Sequence, residues 1–280
     1  VLTFMTIHQM PNQEELQGIA FVVLVCGLLT ISHAQEEVEE PQLIAFDSST
    51  EHIMTDTVSS TSLSLVLINL CDIIAPYCGV ICFLAPLPTM HQISRDKTVG
   101  NLPLLPYSSM LSNSFVWVMY GLLKRLPSVY WSNGCGMILG AYYFKTFIAH
   151  CAPMASNLPG TVSQHIKGAG CIILLNLCLA AFGIENASEI IGKEGVFYCI
   201  VLFASPLSAL KQVLATKSAA SIPLPFTLAC FVNCLAWSVV GLWGLGDFNI
   251  YFPNILGLSC AVAQLVLKGI FGNRAVSTKE

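Results

Sequence analysis

Four uncharged side chains stand out by type and spacing: Asn133, Asn254, Trp117 and Trp237. An amide both donates and accepts, so two of them can bond hydroxyls of either sense. An indole presents a flat apolar face and a single N–H donor. That set suits a ligand with many hydroxyls and an apolar C–H face, such as a sugar ring, and it needs no net charge. The same indoles also fit plain helix packing or an interfacial aromatic belt. Asn113 and Asn233 lie four residues, about one helical turn, before Trp117 and Trp237 and read as interhelical hydrogen-bond partners. A second group is made of prolines: Pro86, Pro103, Pro106, Pro206 and Pro223. Each removes a backbone donor and gives a helix a place to bend or to start. The twelve cysteines include no CxxC pair and nearly all lie in apolar runs, so they read as small buried hydrophobes. No catalytic residue, metal site or cofactor is implied, and the chain is not expected to be an enzyme.

These residues need long apolar helices to hold them. Of 280 residues, 55% are hydrophobic and 10% are charged, and the mean hydropathy is +0.71. An ordinary soluble domain is about 25% charged. The balance excludes a soluble enzyme, a disordered chain and a basic nucleic-acid binder. Charge is also segregated. Residues 1–62 hold nine acidic and no basic residues, whereas 63–280 hold twelve basic and seven acidic ones, a net −9 followed by +5. Within the head, Leu16–Ile31 has the length of a signal-peptide core, and Ser32-His33-Ala34 precedes an abrupt polar switch. Residues 1–34 are expected to be a cleaved signal or an extra apolar helix, and 35–62 an acidic, flexible exterior tail.

From Leu63 onward, apolar runs of about 20 residues alternate with short polar breaks, enough to cross a bilayer core of about 30 Å. Spans are expected near 63–88, 105–124, 128–150, 167–185, 195–215, 223–243 and 248–271. With residue 62 outside, nine basic residues fall on the cytoplasmic side and three (Lys124, Arg125, Lys193) outside. The C-terminus, 273–280, is then a short cytoplasmic tail, and the Asn186-Ala187-Ser188 sequon faces outward as a glycosylation candidate.

A shift of 120 residues aligns 83–122 on 203–242 with eleven identities in forty positions, among them Pro86/Pro206, Gln92/Gln212, Lys97/Lys217, Pro103/Pro223, Asn113/Asn233 and Trp117/Trp237. One added residue pairs Asn133 with Asn254. Each copy, 63–152 and 192–272, holds three spans. A copy of an odd repeat would lie upside down, so the helix within 165–186 must intervene to keep the copies parallel. The expected fold is all-α: seven transmembrane helices in a 3+1+3 arrangement of two parallel three-helix repeats, a transporter architecture with the substrate between the halves. Trp117, Trp237, Asn133 and Asn254 then share one depth, between the outer surface and the midplane.

Several motifs resemble the SWEET sugar facilitators. They are Ala85-Pro86-Leu87-Pro88-Thr89, Lys97-Thr98, Leu105-Pro106-Tyr107, Asn113 with Trp117-x-x-Tyr120-Gly121, Asn133, Ser205-Pro206-Leu207, Thr216-Lys217-Ser218, Ile222-Pro223, Asn233-x-x-x-Trp237 and Pro253-Asn254-x-x-Gly257 followed by Gln264. The resemblance covers roughly residues 65–272; Val240 stands where a Tyr is common, and the acidic head is outside the pattern. It implies a bidirectional sugar uniporter working by alternating access, with a glucose-like or sucrose-like substrate. It implies pocket roles for Asn133, Asn254 and Trp237, and for Gly79, Cys82, Cys199 and Leu202 one and two turns before the membrane prolines. It implies a hinge tetrad of Pro86, Pro206, Pro223 and a fourth member, Pro106 or, by the internal repeat, Pro103. It also implies an outer gate of Tyr120, Arg125 and Asp247. Family members associate, so a homo-oligomer is allowed; the lipid bilayer is the other partner, and nucleic acid is not one.

Asp72 is the one acid well inside an expected span, which makes it a candidate proton site. No intramembrane Lys, Arg or His offers it a partner, and the repeat places Gly192 there. Passive uniport is therefore the simplest expectation, in the plasma membrane or an endomembrane. The alternatives are a proton-coupled PQ-loop-type amino-acid exporter, although Pro86-Leu87 and Pro206-Leu207 replace its Pro-Gln dipeptides, and a seven-helix receptor, which needs no duplication.

Overall fold

The structure, a computed structural model, describes residues 51–151, 161–202 and 204–272. The expected leader of 1–34, most of the acidic segment and the tail 273–280 lie outside the described residues. The described chain is helical and holds no strand: α1 (Glu51–Leu84), α2 (Leu87–Asp96), α3 (Leu105–Lys124), α4 (Pro127–His150), α5 (Val162–Ala181), α6 (Ala187–Leu202), α7 (Ala204–Thr216), α8 (Leu224–Val239) and α9 (Phe248–Phe271). A π turn, Val240–Gly244, prolongs α8.

Among the described residues, five stretches are long and apolar enough to cross a membrane: Ser64–Asp96, Val162–Ala181, Ala187–Thr216, Leu224–Gly244 and Phe248–Phe271. The other two expected spans, α3 and α4, have 20 and 24 residues, which is length enough, but are less apolar. The reason is visible in their packing. Ser108, Ser109, Ser112, Asn113 and Ser114 of α3, and Ser128, Ser132 and Thr146 of α4, are buried. Polar groups turned into the bundle lower a helix's hydropathy without meeting lipid.

Two boundaries differ most from expectation. Helix α1 begins at Glu51, so residues 51–62, read from composition as flexible tail, are helical. No Gly or Pro interrupts the chain between Pro41 and Pro76, and nothing stops the helix from extending past the apolar run. Helix α6 begins at Ala187, eight residues before the expected span start at 195, so Lys193 and Glu194 lie within it.

The helices form a ring. Helix α1 packs on α4, α4 on α3, α3 on α6, α6 on α9, α9 on α8, and α8 back on α1. In each half the third spanning helix thus lies between the first and second. Helix α5 packs chiefly on α3 and touches α6 lightly.

The duplication is built into the backbone. Gly121 lets α3 approach α4 so closely that an added Cβ would lie 2.8 Å from the Tyr130 nitrogen; at Gly241 the same atom would lie 2.7 Å from the Tyr251 nitrogen. Lys97 and Lys217, 120 residues apart, both adopt φ 55° where α2 and α7 end. Beyond them, Ile93 and Val99 pack with Tyr107, Tyr143 and Phe147 in one half, and their counterparts Val213 and Ala219 pack with Ile222, Leu267 and Phe271 in the other. A third cluster lies between the halves and joins Ala75, Trp117, Tyr120, Val129, Ile191, Trp237, Val240 and Ile250.

Candidate functional site

The two amides occupy equivalent places, since Asn133 is the seventh residue of α4 and Asn254 the seventh of α9. Trp117 lies seven residues before the end of α3, and Trp237 seven before the end of the π turn. At about 1.5 Å per residue all four sit about 10 Å from the end of the bundle that carries the α3–α4 and α8–α9 connections.

Each amide spends one N–H on its own helix. Asn133 Nδ2 donates to the Val129 carbonyl at 2.9 Å, and Asn254 Nδ2 to the Ile250 carbonyl at 2.7 Å. The bond fixes the side chain, while its carbonyl oxygen and second N–H have no partner among the described residues. Both side chains are half-buried. Val129 and Ile250, which hold them, belong to the same buried cluster as both indoles. The indoles are packed, 7% and 8% exposed. Trp117 lies on the Gly195 backbone of α6, where an added Cβ would be 2.9 Å from the indole, and meets Tyr120 edge-on at 5.4 Å.

The first helix of each half meets an Asn of the other half. Cys199 of α6 donates to Asn113 Oδ1 at 3.9 Å, and the corresponding Gly79 of α1 would place a Cβ 3.4 Å from Asn233 Oδ1. Cys82 of α1 faces Cys230 of α8, sulfur to sulfur, at 3.8 Å. Leu202 is half-buried at the end of α6. Gly79, Cys82 and Cys199 therefore lie on the two seams between the halves, α1–α8 and α3–α6.

The prolines mark helix breaks and starts. Pro86 separates α1 from α2 with φ −76° and ψ −10°, and its carbonyl accepts from the Met90 N–H at 3.1 Å. Pro206 is the third residue of α7. Pro103 precedes α3, Pro106 is its second residue, and Pro223 is the N-cap of α8. Sequence reasoning missed Pro225, second in α8 as Pro106 is second in α3. The repeated Leu-Pro pair was the signal, one residue out of the 120-residue register.

At the connection end, Tyr120 Oη donates to Asp247 Oδ2 at 2.5 Å, joining α3 of the first half to the start of α9 in the second. Asp247 Oδ1 accepts the Asn249 N–H at 3.0 Å, so the same carboxylate caps α9. Asn249 Nδ2 donates to Tyr120 Oη at 3.3 Å, a third member that sequence reasoning missed. Gly192 leaves room for it, since a Cβ there would lie 2.6 Å from both Asn249 and Tyr120. Arg125 is exposed at φ 56° as the C-cap of α3 and is not joined to Asp247. Its neighbour Lys124 reaches Glu189 of α6 at 3.3 Å. Asp72 is met by the Ser128 hydroxyl. Asn186 is exposed in the turn before α6.

A model of the family described as "Sugar efflux transporter for intercellular exchange" matches residues 57–154 and 189–275. The bidirectional sugar transporter SWEET7b of Oryza sativa subsp. japonica is 32% identical over 192 residues, covering 68% of this chain and 72% of that protein. The bidirectional sugar transporter SWEET4 of Oryza sativa subsp. indica is 33% identical over 197 residues, covering 69% and 75%. Among solved structures, the 3.7 Å structure of a eukaryotic SWEET transporter superposes with a TM-score of 0.62 at 26% identity, covering 73% of this chain and 98% of that one.

Proposed function

The chain belongs to the SWEET family of sugar efflux transporters, and from that premise we propose that it carries a mono- or disaccharide down its gradient, in either direction, by alternating access. The relatives that match are named as sugar transporters, so the amino-acid exporter and the receptor are set aside.

The observation that carries the reading is the pair of amides. Asn133 and Asn254 project from equivalent turns of the two halves, each anchored to the central cluster by one bond and each keeping a donor and an acceptor unused. Two such groups on opposite sides of a pseudo-two-fold axis can bond hydroxyls on both sides of a sugar ring. Trp117 and Trp237 stack on its C–H face when the halves part, and Cys82, Cys199, Gly79 and Leu202 wall the route toward the prolines. Pro86, Pro206, Pro223 and Pro106 or Pro103 let the helices bend as one half rocks. Tyr120 and Asp247 close the exterior side in the conformation described, with Arg125 at its rim.

In this reading the α3–α4 and α8–α9 connections and Asn186 face the exterior or lumen, with Asn186 glycosylated. The connections 97–104 and 217–223 and the C-terminus face the cytosol, in the plasma membrane or an endomembrane. Self-association is compatible with the fold.

The test is radiotracer flux of glucose and of sucrose, in both directions, with and without a proton gradient, in cells lacking other sugar carriers. Asn133→Ala, Asn254→Ala and Trp237→Ala should each lower sugar flux about tenfold or more at equal surface level. Leaving sugar hydroxyls unpaired costs about 1–3 kcal/mol. Wild-type flux in any of the three removes that residue from the site. Accumulation abolished by a protonophore would replace uniport by proton coupling and make Asp72 the first residue to test.

A further inference from the structure

An amide–carboxylate pair lies between α5 and α6. Asn176 of α5 is fully buried, and its Nδ2 donates to the Ile172 carbonyl at 2.9 Å and to Glu194 Oε2 of α6 at 2.8 Å. Both amide hydrogens are then spent. Asn176 Oδ1 and Glu194 Oε1 are buried with no donor. A buried acceptor left unpaired is costly, and a buried unpaired charge far more so. Turning the amide over does not remove the problem. Asn176 Oδ1 would then face the Ile172 carbonyl and the carboxylate, acceptors against acceptors.

Among the described residues, no basic side chain forms an ion pair with the carboxylate. The titratable group facing it is Tyr198, one turn along α6, which meets Ser112 of α3. On the helices packed against α6, Lys124 of α3 reaches Glu189, Tyr120 reaches Asp247, His165 of α5 reaches Ser108, and Lys268 of α9 reaches the Ala219 and Ile222 carbonyls. Lys193, Lys167 and Lys211 are exposed. Cys171 and Cys178 of α5, Tyr107 of α3, and Tyr251 and Cys260 of α9 carry no positive charge in any state.

We propose that Glu194 is a proton-binding site, occupied as a neutral carboxylic acid paired with Asn176 across the α5–α6 joint. One proton on the carboxyl supplies the donor the pair lacks. Acid and amide then match, each with a donor and an acceptor. Sequence reasoning placed Glu194 just outside a span and took Asp72 as the one intramembrane acid; the earlier start of α6 brings Glu194 in, about 10 Å from the helix end.

The location gives the site a role. Helix α5 packs on α3 of the first half, whereas α6 opens the second. The pair therefore ties linker to second half across a joint that must work when the halves rock, a consequence that rests on the alternating-access reading. The proton favours the arrangement described, in which Tyr120 and Asp247 are joined. Because Glu194 faces α5, the proton is resident and is not carried with the sugar: pH sets the resting balance of conformers and does not drive accumulation.

The test is infrared difference spectroscopy on the full-length chain in lipid vesicles. At neutral pH the wild type should show the carbonyl band of a protonated carboxylic acid, absent from Glu194→Gln. The band should be lost as pH is raised, and accessibility of the Tyr120 side should rise in parallel. Glu194→Gln keeps a donor and an acceptor, so its accessibility should not change with pH. Asn176→Ala, which leaves Glu194 in place, should shift the band, and this keeps the test available if Glu194→Gln does not fold. A carboxylate band at neutral pH overturns the proposal. So does a carboxylate whose signal follows sodium, which would assign the orphaned oxygens to a metal cation. Failed sugar flux beside a band that titrates would overturn the transport reading and leave the proton site standing.

Discussion

Replacing Tyr120 by Phe removes one hydroxyl and little else. The phenol is fully buried and its ring is held by Trp117, so the cavity left is one oxygen in size. Two bonds go with it: the donation to Asp247 at 2.5 Å and the acceptance from Asn249 at 3.3 Å. The first is charge-assisted and short, the kind that contributes about 1.5–3 kcal/mol net. The second is long and contributes less. Asp247 keeps its bond to the Asn249 N–H, so the cap of α9 survives. The bond joins the two halves; on the alternating-access proposal it breaks when this side opens, so its loss acts on the closed state alone. At about 1.4 kcal/mol per tenfold, the open population should rise about tenfold to hundredfold. Val240 is 2% exposed in the same cluster and reports on opening when replaced by Cys, a change of similar volume. Modification of that Cys by an impermeant thiol reagent, read by mass spectrometry of its peptide, should quicken by that factor in Tyr120→Phe, with net exchange slowed. An unchanged rate together with normal transport would refute the reasoning. Tyr120 would then be a packing residue, Asp247 only a cap, and the closing contact would lie elsewhere.

Gly121→Ala and Gly241→Ala should each destabilise the protein by about 1–3 kcal/mol or more, because an added Cβ meets backbone and not a movable side chain. Thermal unfolding in detergent measures this, and the two losses should be similar, since both copies use the same close approach. Diamide, which takes up the two thiol hydrogens as it is reduced, should join Cys82 to Cys230 across the α1–α8 seam and stop transport until dithiothreitol restores it. Cys82→Ser and Cys230→Ser should each be resistant, and an equal response in both variants would place the sensitive thiols elsewhere.

What could be read from the chain depended on whether a residue's role shows in its type or only in its surroundings. Pro86, Pro206, Trp117, Trp237, Asn133 and Asn254 are rare enough in apolar helices for their repetition at a fixed offset to carry information. Helices α3 and α4 are harder to read, because their buried serines lower the very quantity by which spans are found. Glu194 was hidden for a related reason. A carboxylate normally marks a helix end at a membrane surface, and its partner Asn176, eighteen residues away on another helix, shows only once the chain is folded. Pro225 escaped because the best register pairs Pro103 with Pro223, whereas counting from helix starts pairs Pro106 with Pro225. Asn249 escaped because its counterpart, Ser128, is not an amide, and comparison of the copies rewards identity.

The differences between the copies are not spread evenly. At the end holding α2 and α7, Lys97 and Lys217 share one backbone conformation, and Ile93, Val99 and Leu102 are answered by Val213, Ala219 and Ile222, hydrophobic for hydrophobic. At the other end the copies part. Tyr120 is answered by Val240; Asp247, the N-cap of α9, by Leu126, the N-cap of α4; Asn249 by Ser128; and Gly192 by Asp72. Of the two places where a phenol–carboxylate bond could cross between the halves, the chain builds it at one. A rocking carrier needs matched pivots, because both halves must bend by the same amount, but it needs only one contact to bias which side is closed. If a second bond of about 1.5–3 kcal/mol were added, the closed state would gain another tenfold to hundredfold and the outward-open state would become scarce. A single bond lies in the range where a bound sugar can tip the balance.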